Sequence, residues 1–220
     1  MCVFKQDERT EKNMLSRRNF LAVGVAGATS LLAGCSDEKG EAPAAAPATE
    51  PAEDAPAADA APAGNVLVAY FSATGNTEGV ATAIAERLGA DVFVIEAAQP
   101  YTEADLNYND GASRTSVERA DGTSPELAQV MPDGWADYDT VLLGYPIWWG
   151  EAAWPLRTFM TGNDFAGKAV VPFCTSGSSG IGGSADGLAE LAGSGDWLEG
   201  ERFSAGAGDE AADWAAGLGL

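Results

Sequence analysis

In the C-terminal two-thirds of the chain, short unbroken apolar runs alternate with segments whose apolar residues recur every three or four positions. Val66-Leu67-Val68-Ala69-Tyr70-Phe71 has no polar interruption, as a strand buried on both faces should. After a short polar stretch, Val80, Ile84 and Leu88 fall on one helical face, and Gly89 ends that helix. Val92-Phe93-Val94-Ile95 predicts a second buried strand, and Thr140-Val141-Leu142-Leu143-Gly144-Tyr145 a third. Ala169-Val170-Val171-Pro172-Phe173-Cys174 predicts a fourth, with a break in its ladder near the end, because Pro172 has no N–H to donate. A weak last strand falls at 202–205, and helices are expected at 153–160, 184–192 and 209–217. This rhythm predicts an α/β domain on a doubly wound parallel five-stranded sheet.

One segment breaks the rhythm. More than forty residues separate the second and third strands, where a crossover is usually much shorter. They include Tyr101, Asn107-Tyr108-Asn109-Asp110 and Arg114, and one helix is expected near 125–130.

The first 64 residues read differently. Ser16-Arg17-Arg18-Asn19-Phe20-Leu21 matches the twin-arginine export pattern, with Ala22 where lysine is common. The uncharged apolar stretch 20–34 that follows is too short to span a bilayer comfortably and fits a signal-peptide core. Leu32-Ala33-Gly34-Cys35 resembles the bacterial lipoprotein signal, so residues 1–34 are expected to be removed and Cys35 to carry the lipid. Residues 35–64 are then the lipidated cysteine and an acidic Ala/Pro-rich tether, with prolines at 43, 47, 51, 56 and 62 that forbid a long helix. Fully extended, that tether reaches about 90 Å. The expected location is the outer face of the cytoplasmic membrane or the periplasm, with membrane contact through the lipid anchor only.

Composition narrows the chemistry. The chain has no histidine, which excludes Ser-His-Asp and Cys-His catalysis and His-ligated metal or haem. Its three cysteines, Cys2, Cys35 and Cys174, are too few and too scattered for a zinc or iron–sulfur site, so no metal is expected. The formal net charge is −21. Removing residues 1–34 strips five basic and three acidic side chains, which takes −21 to −23. Such a field repels nucleic acid and favours basic partners.

Three loops carry candidate binding chemistry. Ser72-Ala73-Thr74-Gly75-Asn76-Thr77, between the first strand and first helix, offers hydroxyls and backbone N–H groups at a helix N-terminus. It has no lysine and lacks the dinucleotide glycine pattern, so it suits a terminal phosphate monoester. Pro146-Ile147-Trp148-Trp149-Gly150 follows the third strand; one of its tryptophans is expected to stack on a flat ring, the alternative being an aromatic cluster with Trp154. Thr175-Ser176-Gly177-Ser178-Ser179-Gly180 follows the fourth strand, and its glycines let backbone amides approach a ring edge.

The stretches Tyr70–Thr77, Leu143–Gly150 and Val171–Gly177 resemble the flavodoxin family, and the resemblance covers nearly all of residues 66–220. It implies strand order 2-1-3-4-5, which makes the three loops neighbours at one sheet edge; flavodoxin, with FMN at the β1/β3 switch point, is itself a standard example of that rule. It also implies FMN as cofactor and redox work. Ser72, Thr74, Gly75, Asn76 and Thr77 would then hold the phosphate. Pro146, Ile147, Trp148 and Trp149 would pack on the ring or ribityl chain, and Thr175, Ser176, Gly177 and Gly180 would line the pyrimidine side. No side chain is expected to act as a catalytic acid or base. The chain departs from well-known flavodoxins in one respect: their third loop places a tyrosine against the second ring face, whereas residues 175–183 contain no aromatic residue. Unless Tyr101 or Tyr108 swings in, that face stays open. The expected function is electron transfer outside the cytoplasmic membrane with a redox partner protein, basic given the charge. The alternatives are an FMN-dependent reductase of a quinone or other small acceptor, and a non-redox flavin store or adaptor.

Overall fold

A computed structural model describes residues 65–220; the expected signal peptide, lipidated Cys35 and tether lie outside the described residues. The strands are β1 (Val66–Tyr70), β2 (Asp91–Val94), β3 (Thr140–Trp148), β4 (Glu151–Ala152), β5 (Ala169–Thr175), β6 (Asp196–Trp197) and β7 (Glu201–Phe203). The helices are α1 (Asn76–Leu88), α2 (Arg114–Asp121), α3 (Pro155–Gly162), α4 (Ser184–Ala192) and α5 (Gly208–Gly217). The main path runs β2-β1-β3-β5-β6, all parallel, with β7 also paired to β5 and the short β4 folded back antiparallel on β3. Taking β6 and β7 as two halves of one strand, and setting the β4 hairpin aside, this is the expected order 2-1-3-4-5.

Period-two alternation sends side chains to two apolar layers. Val68, Tyr70, Leu142, Val171 and Phe173 pack under α1 and α5 with Val80, Ile84, Ala211 and Ala215. Leu67, Ala69, Val141, Leu143 and Val170 pack on the other face with Leu156, Phe159, Met160 and Leu188 of α3 and α4. Gly144 in β3 makes room for a neighbour: a Cβ there would overlap the Phe173 ring and come within 3.0 Å of the Tyr70 Cβ.

Pro172 acts on one side only. The ladder from β5 to β3 runs unbroken through the pair Leu143–Pro172. Val170 O accepts from Leu198 N and Ser176 N donates to Phe203 O, so even-numbered residues of β5 face the fifth strand. The missing N–H of Pro172 therefore faces that strand, which divides there into β6 and β7. Gly200 passes against Pro172, where a Cβ would overlap the proline carbonyl.

Three expectations change. β2 is an edge strand rather than a buried one: Val92 and Val94 are 50% and 42% exposed, because no strand pairs on its outer side. The helix of the long segment is α2 at Arg114–Asp121, capped by Ser113, whose hydroxyl accepts from Ser116 N. Residues 125–130 form no helix but an irregular stretch, with Leu127 in an isolated antiparallel bridge to Ala97. The third strand does not stop at Tyr145. It continues to Trp148 and turns at Trp149-Gly150 into β4, so Pro146-Ile147-Trp148 is strand rather than loop.

Candidate functional site

The carboxyl ends of β1, β3 and β5 open into a cavity of about 720 Å³. On its first side, Gly75 takes φ 83° and starts α1, a left-handed conformation that glycine holds without strain. Ser72 Oγ accepts from Gly75 N at 3.1 Å, and Asn76 Nδ2 donates to Thr74 Oγ1 at 3.2 Å. The first turn of α1 has no side-chain cap, which leaves its N–H donors for a ligand or water. Thr77 is buried and shares a 2.8 Å hydrogen bond with Thr175 at the end of β5, tying the first loop to the third.

The β3–β4 hairpin supplies an aromatic wall. Trp149 (φ 49°) and Gly150 (φ 85°) form a two-residue turn with both φ values positive, the arrangement that suits a right-twisted hairpin. Trp149 is the one non-glycine residue with positive φ among the described residues. Its ring stacks on Trp154 (6.0 Å, 14°), and the Arg119 guanidinium lies 5.4 Å from its centre. Trp148 meets Phe71, Tyr101 and Trp154 edge-on at 5.6, 5.2 and 5.7 Å. The expected aromatic cluster with Trp154 therefore exists, and both tryptophans line the cavity as well.

Of the thirteen residues singled out from sequence, Thr74, Asn76, Thr77, Pro146, Ile147, Trp148, Trp149, Thr175, Ser176 and Gly177 line this cavity together. Ser72, Gly75 and Gly180 do not. Ser72 lines a neighbouring cavity of about 320 Å³ that shares Ala73 with the first. Sequence reasoning missed Leu106, Thr115, Ser204 and Ala205, quoted Ala73 only as part of the first loop, and named Tyr108 only as a residue that could swing in. Leu106, Tyr108 and Thr115 come from the long segment after β2, whose placement no periodicity announces. Ser204 and Ala205 were expected inside the last strand, but β7 ends at Phe203 and leaves them in the loop at the carboxyl edge.

The long segment is fastened by polar contacts. Glu118 is buried and accepts from Tyr101 Oη and Arg114 Nε, each at 2.7 Å. Arg114 Nη1 also donates to Gln99 O at 2.8 Å, and its guanidinium lies 4.1 Å over the Tyr101 ring. Burial, and then the bond to Glu118, hold the Tyr101 phenol far above its usual range. Thr115 donates through both N and Oγ1 to Asp105 O, and Trp154 Nε1 donates to Thr115 O at 3.1 Å. On the third side, Arg202 holds Ser176 through its hydroxyl at 3.1 Å and its carbonyl at 2.6 Å. Behind that loop the Cys174 thiol is buried, which pushes its pKa up to about 12 and leaves it protonated and inert.

Charge separates this cavity from the rest of the surface. Of 33 acidic and 12 basic side chains, ten and six lie before residue 65, so residues 65–220 carry 23 acidic and six basic ones. None of the sixteen lining residues is charged. An uncapped helix start beside neutral hydroxyls accepts a phosphate, which a ring of carboxylates would repel. Together with the apolar and aromatic wall, these residues fit a phosphorylated ligand carrying a flat ring. Among the described residues no cluster of three or more His, Cys, Asp or Glu could hold a metal.

The family model described as flavodoxin matches residues 65–217. A solved structure described as a flavoprotein from Bacteroides eggerthii is 39% identical, covers 71% of this chain and 99% of its own, and superposes with TM-score 0.65. One from Bacteroides uniformis is 40% identical over 70% of this chain and 98% of its own, also at 0.65. A Lactobacillus acidophilus flavoprotein solved in complex with FMN shares the fold at 20% identity and TM-score 0.52, covering 70% of this chain and 99% of its own.

Proposed function

The chain belongs to the flavodoxin family, and from that premise we propose that it binds one FMN in the cavity at the carboxyl edge and transfers electrons outside the cytoplasmic membrane. The observation that carries the cofactor is the uncharged lining in a domain with 23 acidic side chains, where an uncapped helix start meets a tryptophan wall. FMN, when bound, supplies one- and two-electron chemistry, and the protein sets its position and potential. Thr74, Asn76 and Thr77, with the N–H groups of the first turn of α1, hold the phosphate; Ser72 and Gly75 shape that loop from behind. Pro146, Ile147, Trp148 and Trp149 pack on the ring or ribityl chain, and Thr175, Ser176 and Gly177 line the pyrimidine side. Gly180 serves only as part of the third loop.

Electron transfer with a basic partner protein rests on the charge. Export and lipid anchoring rest on the Ser16–Leu21 motif and on Cys35. A second reading, reduction of a quinone or similar small acceptor, is favoured by the third loop, which carries no aromatic residue to close the ring face.

Two measurements test this. The purified protein should be yellow with about one FMN and no FAD, and Thr74→Ala with Thr77→Ala should weaken binding by about 2–3 kcal/mol, since each removes a hydrogen bond to a charged group. A colourless protein that ignores added FMN refutes the cofactor. Stopped-flow reoxidation across an ionic-strength series then separates carrier from reductase. Reaction with a basic redox protein should slow steeply with salt. A fast, salt-insensitive reaction with a neutral quinone, and a slow one with the protein, would establish the reductase instead.

A further inference from the structure

We infer that Tyr108 is the aromatic residue that covers the outer ring face of the bound cofactor, in place of the tyrosine that the third loop lacks. The inference rests on the proposed FMN reading and goes beyond it by assigning that cover to the segment after β2. Three aromatic residues line the cavity: Trp148, Trp149 and Tyr108. The two tryptophans belong to one hairpin and are already packed against Trp154, with Trp148 also held by Phe71 and Tyr101. Tyr108 comes from a separate element, the segment after β2, and brings a second aromatic surface to the same cavity.

Tyr101 cannot take this part. Its hydroxyl is fixed on Glu118, Arg114 covers its ring, and Phe71 and Trp148 meet it edge-on. Swinging it out would strip a buried carboxylate of one of its two donors. Tyr108, by contrast, is 71% exposed, has no aromatic partner, and makes no side-chain hydrogen bond among the described residues. An aromatic ring left this open at a cavity wall is the informative kind of exposed residue.

Its placement is built rather than incidental. Asn107 Oδ1 accepts from Asn109 N at 3.1 Å and Asn107 O from Asp110 N at 3.0 Å, so the turn closes around Tyr108. Asp110 Oδ1 accepts from Ala112 N at 2.9 Å on one side, and Asp105 is bonded to Thr102 and Thr115 on the other. The backbone is braced while the side chain is free. Closing over a ring would bury Tyr108 without disturbing any of these bonds. The acceptor would then reach the cofactor at an edge rather than across an open face, which favours electron transfer over hydride-type chemistry on a stacked substrate.

The test uses the full-length protein, stripped of flavin and titrated with FMN, together with the rate at which sulfite adds to the flavin N5 of the loaded protein. Tyr108→Ala should bind FMN about three- to tenfold more weakly, the share that ring stacking contributes beyond area burial. It should also react with sulfite faster. Tyr108→Phe keeps the ring and should match the wild type in both. Because the side chain is exposed and unbonded, the fold of Tyr108→Ala should be intact by circular dichroism. If the wild type binds FMN and Tyr108→Ala equals it in affinity and sulfite rate, the inference is wrong while the FMN reading stands. If the wild type does not bind FMN, both fall.

Discussion

Replacing Arg114 by alanine tests what holds the long segment against the cavity. The side chain makes a 2.7 Å ion pair with Glu118, a 2.8 Å hydrogen bond to Gln99 O, and a cation–π contact 4.1 Å over Tyr101. Its loss leaves the Glu118 carboxylate with Tyr101 Oη as its remaining partner. Breaking a fully buried pair costs about 3–5 kcal/mol, whereas an exposed pair is worth about 0–1 kcal/mol. Here the side chains are 23% and 11% exposed, between those limits but nearer the buried one. The expected cost is therefore about 2–3 kcal/mol, less than the buried value because Tyr101 still donates. For a domain of this size that lowers the melting temperature by about 5–10 °C. Thermal melts followed by circular dichroism should be run on Arg114→Ala, Glu118→Gln and the double variant at one salt concentration. Removing both charges leaves no buried charge unpaired, so the double variant should lose less than the sum of the singles. An Arg114→Ala protein melting within about 1 °C of the wild type would show that the pair does not hold this segment.

Gly144→Ala should destabilise by about 2–3 kcal/mol through overpacking against Phe173, and a second change Phe173→Leu should recover part of it; equal chemical-denaturation midpoints for wild type and Gly144→Ala would refute the packing argument. The Cys174 thiol, raised by burial from 9.0 to about 12, stays protonated in the folded state while the unfolded chain ionises. Its contribution to stability is complete below pH 9 and is lost as the pH rises towards 12. Tyr101 and Tyr145, also raised by burial, act in the same direction, so Cys174→Val should flatten the alkaline fall without abolishing it; an unchanged slope counts against the thiol's share. For the N-terminal segment, Arg17→Lys with Arg18→Lys should trap flavin-loaded precursor inside the cell, and Cys35→Ser should abolish palmitate labelling. Normal export or unchanged labelling would refute the respective assignments.

The sheet was readable because burial on both faces leaves an unbroken apolar run. β1, β3 and β5 are such strands, and their order at the carboxyl edge was implied by the flavodoxin resemblance rather than by the apolar runs. The same signal misleads at the edge. Val92-Phe93-Val94-Ile95 is as apolar as the others, but hydrophobicity reports contact with the layers above and below and says nothing of a missing neighbouring strand. Only Phe93 and Ile95 pack into the core layer, and Val92 and Val94 stay half-exposed. Pro172 was legible as a break, because a missing donor must interrupt a ladder. Which ladder it interrupts depends on the direction in which even-numbered residues of β5 face, and that is fixed by pairing rather than by sequence.

The site divides along the same physical line. The residues that sequence brought together sit within a few positions of a strand end, so a strand's direction and length place them. Leu106, Tyr108 and Thr115 sit more than ten residues beyond β2, and nothing apolar carries them there. α2 buries only Thr115 and Glu118, so it has no hydrophobic stripe to be found, and a window at 125–130 looks more helical by composition. What fixes the segment is a set of directional bonds between partners 10–39 positions apart: Thr115 to Asp105, Tyr101 to Glu118, Trp154 to Thr115. Each joins polar groups that are buried or partly buried and must find a partner once their neighbours are dry. The requirement is strong in the folded state, but any serine, threonine or carboxylate in the window could meet it. Apolar packing rewards a repeating pattern and so writes itself into periodicity, whereas a polar clasp rewards single atoms in single places. A wall of the cavity built by such clasps can change in length and sequence while the sheet beneath it stays constant. The segment from Tyr101 to Glu118 is therefore the wall of this cavity that the sheet constrains least.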